Sequence, residues 1–190
     1  TVEDAWQGAC DIVAENISDS AEVRKLLRKE LWNAGELVSE LIIDEKEAPE
    51  FLQYRDYSEP VRQLPPHRIL AMNRGEDKKA LKINLRCPDE KLIAKVAQKL
   101  NLKEQSPFYT YYHNALTDSY KRLLLPSLER ELRNELTEKA EKQAISVFAA
   151  NLRQLLLTQP ISGHTVLGLD PGYRTGCKTA VIDPNGRILA

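Results

Sequence analysis

Cysteine is scarce in this 190-residue chain: Cys10, Cys87 and Cys177 are odd in number and far apart. A disulfide framework is therefore excluded, and reduced thiols in a cytoplasmic protein are expected. Histidine is as rare, and His67, His113 and His164 form no Cys/His cluster with zinc spacing. No apolar run approaches the roughly 18 residues of a membrane span. No basic start leads into an apolar stretch, so no signal peptide is visible. Net positive charge is missing too: 27 Lys and Arg stand against 28 Asp and Glu, leaving −1. Uniform coating of a polyanion is excluded, whereas a local basic face is not. The loop from Gly172 to Gly176 lacks the Walker pattern and no helix follows it, so a P-loop is not expected. An initial Met is also absent, and the chain stops just after a turn signal, so it reads as a piece of something longer.

What is present is a soluble, globular composition, 42% hydrophobic and 29% charged. A chain of this length buries roughly 70% of its unfolded surface, so no structural metal or cofactor is called for. The charge is segregated. Residues 1–50 hold 13 carboxylates and 5 cations, net −8, whereas residues 55–86 hold 8 cations and 4 carboxylates, net +4. Within the basic stretch Arg68, Arg74, Lys78, Lys79, Lys82 and Arg86 are candidate phosphate contacts. The competing reading is an ordinary solvated surface, with His67 and Arg68 bracing a short helix.

The periodicity predicts a mainly α protein. Thr1-x-x-Asp4 reads as a capping box, followed by Trp6, Ala9, Val13 and Ile17 at helical spacing. Asp19-x-x-Glu22 reads as the cap of a second helix, which stops at Gly35. Leu37 to Ile43 fits strand or helix equally. Four prolines between Pro49 and Pro66 imply loop with short helical turns, and a short helix from Pro66 is expected to end at Gly75. Leu81, Ile83 and Leu85 alternate with Lys82, Asn84 and Arg86, which predicts a half-buried strand with a cationic outer face. Pro88 suits the first position of a helix, and Ser106-Pro107 opens another that runs to about Leu125, where Pro126 interrupts or kinks the chain.

Beyond Pro126, apolar residues recur every fourth position at Leu128, Leu132, Leu136, Ala140, Ala144, Phe148, Leu152 and Leu156. Glu129–Arg133, Glu135–Lys139 and Glu138–Lys142 are acid-before-base pairs four apart. The pattern predicts a central scaffold helix of about 30 residues and about 45 Å. Each step of four overshoots a turn by about 40°, so the stripe winds and meets different neighbours along its length. Pro160, Ser162 and Gly163 mark a boundary. A strand at Thr165–Leu169, a turn at Asp170–Gly176, a strand at Cys177–Ile182, a hairpin signal at Asp183–Gly186 and a third strand from Arg187 then predict a β-meander. The division is 1–160, with a short β element near 79–86, and 161–190.

Two groups of residues suggest chemistry. Gly168-Leu-Asp-Pro-Gly172 resembles the first strand of the RNase H-like fold in its YqgF and RuvC branch, where an Asp helps hold divalent metal for phosphodiester cleavage. Asp170 is thus a candidate metal ligand; as a lone carboxylate it equally reads as a turn-closing side chain. Phe108, Tyr109, Tyr111, Tyr112 and Tyr120 form an aromatic cluster that suits base stacking or a helix interface.

Three stretches carry a family resemblance: Pro66–Gly75, Tyr120–Leu136 running on through Val147–Arg153, and Leu167–Lys178. Together they resemble the Tex family of bacterial transcription accessory proteins, over the whole chain. That resemblance implies a cytoplasmic, multidomain protein that binds RNA or DNA with little sequence preference and serves transcription. It also implies a helical central region followed by the start of a YqgF-like, RNase H-like domain without a working nuclease site, and nucleic-acid binding mainly by helix-hairpin-helix and OB-type parts not present here. The expected function is an architectural, non-enzymatic piece of a nucleic-acid-binding scaffold. The alternatives are a metal-dependent nuclease or resolvase using Asp170, or a protein-binding module for the transcription machinery.

Overall fold

The computed structural model describes residues 1–159, 161–174 and 176–190, together with every side chain among them except that of Val2. The boundary signal at Pro160 falls outside the described residues. Helix α1 (Val2–Asp19) opens as expected. The Thr1 hydroxyl accepts from the Asp4 N–H at 3.3 Å, and the Asp4 carboxylate accepts from the Thr1 amino group at 2.7 Å. The second cap lies one residue later than expected. Ser20, not Asp19, accepts from the Val23 N–H at 3.4 Å and starts α2 (Ala21–Ala34), because α1 holds its hydrogen bonds through Asp19. Val23, Leu27 and Leu31 form the buried side of α2.

The ambiguous run after Gly35 is a strand, β1 (Glu36–Leu41). The proline-rich stretch holds two 3-10 turns, Pro49–Tyr54 and Val61–Gln63, and between them a strand the composition did not reveal, β2 (Asp56–Pro60). Pro60 ends that strand, which lies at the edge of the sheet, where a missing N–H costs no ladder bond. Strand β3 (Leu81–Arg86) completes an antiparallel sheet of order β2-β1-β3. Helix α3 (Pro66–Asp77) does not stop at Gly75. The reversal falls at Lys79, with φ 56°. Gly75 is instead a point of close approach, since a Cβ there would lie 2.5 Å from Leu81 Cδ1.

Helix α4 (Asp89–Lys99) begins one residue after the expected position, with Pro88 as its cap. Helix α5 (Tyr109–Asp118) leads into a π-helical turn, Ser119–Leu124, and then into α6 (Leu125–Leu156). Pro126 therefore does not interrupt the helix. A proline offers no N–H and its ring clashes with the carbonyl four residues back, which here is Arg122. The wider turn absorbs the misfit, and the Leu125 N–H reaches five residues back to the Tyr120 carbonyl. The turn also faces Ser119, Tyr120 and Leu124 into the core, and the Ser119 hydroxyl donates to the Ala14 carbonyl at 2.7 Å.

The chain divides into two compact units, Thr1–Ile145 and Ser146–Ala190, and α6 belongs to both. In the first unit Leu128, Leu132, Leu136 and Ala140 are buried, each leucine contributing about 1.5–3 kcal/mol on burial. Polar contacts bind α6 to three neighbours. Arg28 of α2 pairs with Glu131 at 2.7 Å, Asn73 of α3 donates to Thr137 at 2.8 Å, and Glu129 accepts from the Leu85 N–H of β3 at 3.0 Å. That last bond satisfies a donor on an edge strand. It also takes Glu129 away from Arg133, which binds Glu76 of α3 instead of its expected helix neighbour. The other two expected pairs form, Glu135–Lys139 and Glu138–Lys142, each at 2.6 Å. Further along, Ala144, Phe148, Leu152 and Leu156 are exposed.

The second unit carries a hairpin of β4 (Val166–Gly172) and β5 (Gly176–Ile182). The expected turn at Asp170–Gly176 is shorter, because Asp170, Pro171 and Gly172 pair with Lys178, Cys177 and Gly176. Thr175 lies outside the described residues. After a turn at Gly186, φ 83°, in which Asp183 Oδ1 accepts from the Asn185 and Arg187 N–H groups, the third segment pairs antiparallel with β5 at Ile188–Ile182, with Leu189 donating to the Val181 carbonyl and Val181 to the Ala190 carbonyl, both at 2.8 Å.

The contact at Gly75 gives a direct test. Gly75→Ala should lower stability by about 1–3 kcal/mol through overpacking against Leu81, read as a lower urea midpoint with an unchanged slope. An unchanged midpoint would show that α3 and β3 can separate freely.

Candidate nucleic-acid interface

The candidate cations lie along α3, its terminal reversal and β3, but they are not equivalent. Arg68 donates to the Tyr57 hydroxyl at 2.8 Å and to Glu59 at 3.0 Å, and its guanidinium lies 5.3 Å from the Tyr57 ring centre. It ties α3 to β2, which is the bracing role. His67 beside it is exposed. Lys78 pairs with Glu50 at 3.0 Å. The Glu50 carboxyl is held below its ordinary range, first by its own backbone N–H and then by Lys78. Arg74 and Lys78 both lie over the buried Phe51 ring, at 5.7 and 5.5 Å. Their stems cover an apolar surface while their charges sit near the carbonyl end of α3, where cations are favoured.

Lys82 and Arg86 are exposed on the outer face of β3, as the alternation predicts. The register sets Glu40 beside Lys82 and Glu36 beside Arg86, and Asp56 lies across from Glu40 on the other side. The cationic strand therefore shares its face with carboxylates of β1 and β2. Cross-strand pairs of opposite charge are worth about 0.2–1 kcal/mol each, so part of the basic character is spent within the sheet. Among the described residues Arg74, Lys79, Lys82 and Arg86 make no salt bridge within 4.0 Å. Of the six candidates they are the ones not tied up in an ion pair, unlike Arg68 and Lys78.

Between α3 and α6 lies a polar groove lined by Asn73, Arg74, Arg130, Arg133, Asn134 and Thr137, together with Glu76 and Asp77. Its α6 arginines carry no strong sequence signal, because they read as the outer face of a solvated helix. The contact that places them is Asn73–Thr137, 64 residues apart in sequence.

Asp170 lies inside β4 opposite Lys178, exposed, and no group of three or more His, Cys, Asp or Glu residues is gathered anywhere among the described residues. The aromatic cluster is split by the π turn. Tyr120 points inward with 1% exposure, whereas Phe108, Tyr111 and Tyr112 stay outside with Trp6 of α1.

Tyr120 belongs to a polar knot that the linear sequence does not reveal. Its hydroxyl donates to Asp89 Oδ1 at 2.8 Å, Cys87 Sγ donates to the same oxygen at 3.0 Å, and Sγ and the hydroxyl are 3.4 Å apart. The knot fastens the end of β3 and the first turn of α4 to the π turn. Burial, then the bonds to Cys87 and Asp89, push the Tyr120 phenol strongly up. Burial also raises the Cys87 thiol, to about 11.

A thiol so placed is a poor nucleophile. At pH 8 about a thousandth of Cys87 is thiolate, so exposed Cys177 should be alkylated well before it, as peptide mapping would read. The same shift gives a stability slope. Between about pH 9 and 11 the unfolded chain releases the Cys87 proton while the folded chain keeps it, so stability falls as pH rises through that window. Cys87→Ser should flatten that slope in urea titrations.

Two family models match the chain: a Tex central region-like model over residues 1–148 and a Tex protein YqgF-like domain model over residues 164–190. Among curated relatives, a Bacillus subtilis protein called YdcI is 42% identical over the whole chain and 27% of its own length. Protein tex of Bordetella pertussis is 37% identical over 97% of the chain and 25% of its length. Human S1 RNA-binding domain-containing protein 1 is 36% identical over the whole chain and 20% of its length. The chain thus spans about a fifth to a quarter of the relatives it matches.

Proposed function

We propose, from the premise that the chain belongs to the Tex family, that it is the architectural middle of a transcription-associated, nucleic-acid-binding protein. The observation that carries this reading is α6. One helix of 32 residues receives α2, α3 and β3 on its first half and offers exposed apolar residues on its second. Such a helix fixes the position of other parts and needs no catalytic group of its own. The names of the relatives support the transcription and RNA side: one is a transcriptional accessory protein Tex and another an S1 RNA-binding domain-containing protein. No described helix is long and apolar enough to cross a membrane. We place this protein in the cytoplasm, with RNA or DNA as its sequence-independent partner and the transcription machinery as a further one, and we keep the division near residue 160.

In this reading Arg74, Lys79, Lys82 and Arg86 make auxiliary phosphate contacts, and Arg68 and Lys78 hold the surface that presents them. Phosphate contacts position a nucleic acid without reading its bases. The nuclease alternative rests on Asp170, which has Lys178 rather than a second carboxylate as its cross-strand neighbour.

The test is oligonucleotide binding across a salt series. Lys79→Glu, Lys82→Glu and Arg86→Glu together should weaken binding to double-stranded DNA and lower the slope of log K against log salt by up to about 2–3. Equal loss at all salt concentrations, with no change of slope, would remove these residues from the interface. Absence of any oligonucleotide binding by a longer, family-length form would overturn the function. Mg²⁺-dependent cleavage abolished by Asp170→Ala would replace it with the nuclease.

A further inference from the structure

The exposed aromatic residues of α1 and α5 meet in a groove that the nucleic-acid reading does not use. Trp6 stacks on Tyr111, with ring centres 4.8 Å apart and 16° between planes, and Phe108 lies 6.4 Å from Trp6. With Val13 and Tyr112 these rings line a small, wholly apolar bowl of about 110 Å³. A second, larger pocket shares Trp6, Cys10 and Tyr111 with the bowl and is walled by Glu3, Asp11 and Asp118. Trp6 and Tyr111, both over 40% exposed, form the ridge between the two.

The two helices of this groove carry a strong excess of negative charge. Helix α1 carries five carboxylates, Glu3, Asp4, Asp11, Glu15 and Asp19, and no lysine or arginine. Helix α5 adds Asp118 and no lysine or arginine. The cations that pair with these carboxylates are Arg122, which binds Asp118 at 2.6 Å and reaches Asp11 at 4.0 Å, and the Thr1 amino group, which binds Asp4 at 2.7 Å. Asp11 also accepts from the Gln7 amide at 3.0 Å, and Glu3 makes no salt bridge within 4.0 Å among the described residues, so the acidic wall keeps a net negative charge. A phosphate backbone would be repelled here, so the rings are a poor platform for unpaired bases, whose sugars and phosphates must follow them.

We infer that this groove docks a short basic segment of a separate protein, with one aliphatic side chain in the bowl and a neighbouring Lys or Arg in the acidic pocket. The aromatic ridge suits both parts, because a ring buries apolar area and its face attracts a cation, indole most strongly. The opposite charge of the segment would steer the encounter and fix its direction along the groove.

The probe is a fluorescein-labelled peptide of alternating Leu and Lys, followed by anisotropy against the 190-residue chain. Binding is expected, weakening as salt rises. Trp6→Ala should weaken it about tenfold, and Glu3→Gln with Asp11→Asn should weaken it while lowering its salt dependence. Because the carboxylate-to-amide changes keep shape at exposed positions, circular dichroism should show both variants folded. The inference is overturned if a Leu/Glu peptide binds as well as the Leu/Lys peptide. It is equally overturned if single-stranded oligonucleotide displaces the peptide and binds through Trp6, or if the chain self-associates in a manner that Trp6→Ala abolishes.

Discussion

A proline that cannot donate a hydrogen bond sits where the chain needs its longest uninterrupted helix. Pro126 forces the turn before it to widen, and the widened turn decides what faces inward: Ser119 onto α1, Tyr120 onto the β3–α4 junction, Leu124 into the core. An ordinary α-helical turn would rotate the residues before the proline by a large fraction of a turn relative to α6. The aromatic groove, the polar knot and the buried stripe of α6 are therefore three outcomes of one backbone constraint. No buried side-chain nitrogen or oxygen is left unpaired among the described residues, so the widened turn carries no unsatisfied buried side chain.

The legible parts of the fold were those set by neighbours in sequence. The Thr1–Asp4 box, the stripe of α1, the alternation of β3 and the fourfold repeat of α6 are local patterns, and each produced its element. The illegible parts were set across distance. β2 is a strand only because β1 lies beside it, and a segment bounded by Pro49 and Pro60 has no alternation strong enough to announce that. Gly75 reads as a helix stop until Leu81 is known to press on it. Glu129 reads as half of a helix pair until Leu85 presents an N–H.

The candidate site shows the same division. Exposure of Lys82 and Arg86 follows from alternation, but Glu36 and Glu40 beside them come from another strand and temper their charge. Arg68 has the composition of a phosphate contact and the geometry of a strut. Cys87, Asp89 and Tyr120 gave no signal because the tyrosine is 31 residues from the nearer of its partners. Carboxylates dominate α1, and of the six candidate cations the four without an ion pair lie at the end of α3, at its reversal and on β3.

The repeat of α6 has a geometrical consequence. From Leu128 to Ala140, all within the first unit and all buried, the stripe advances three steps and turns by about 120° around the helix axis. What covers it must therefore wrap about a third of the helix's circumference, a cradle rather than a flat bed.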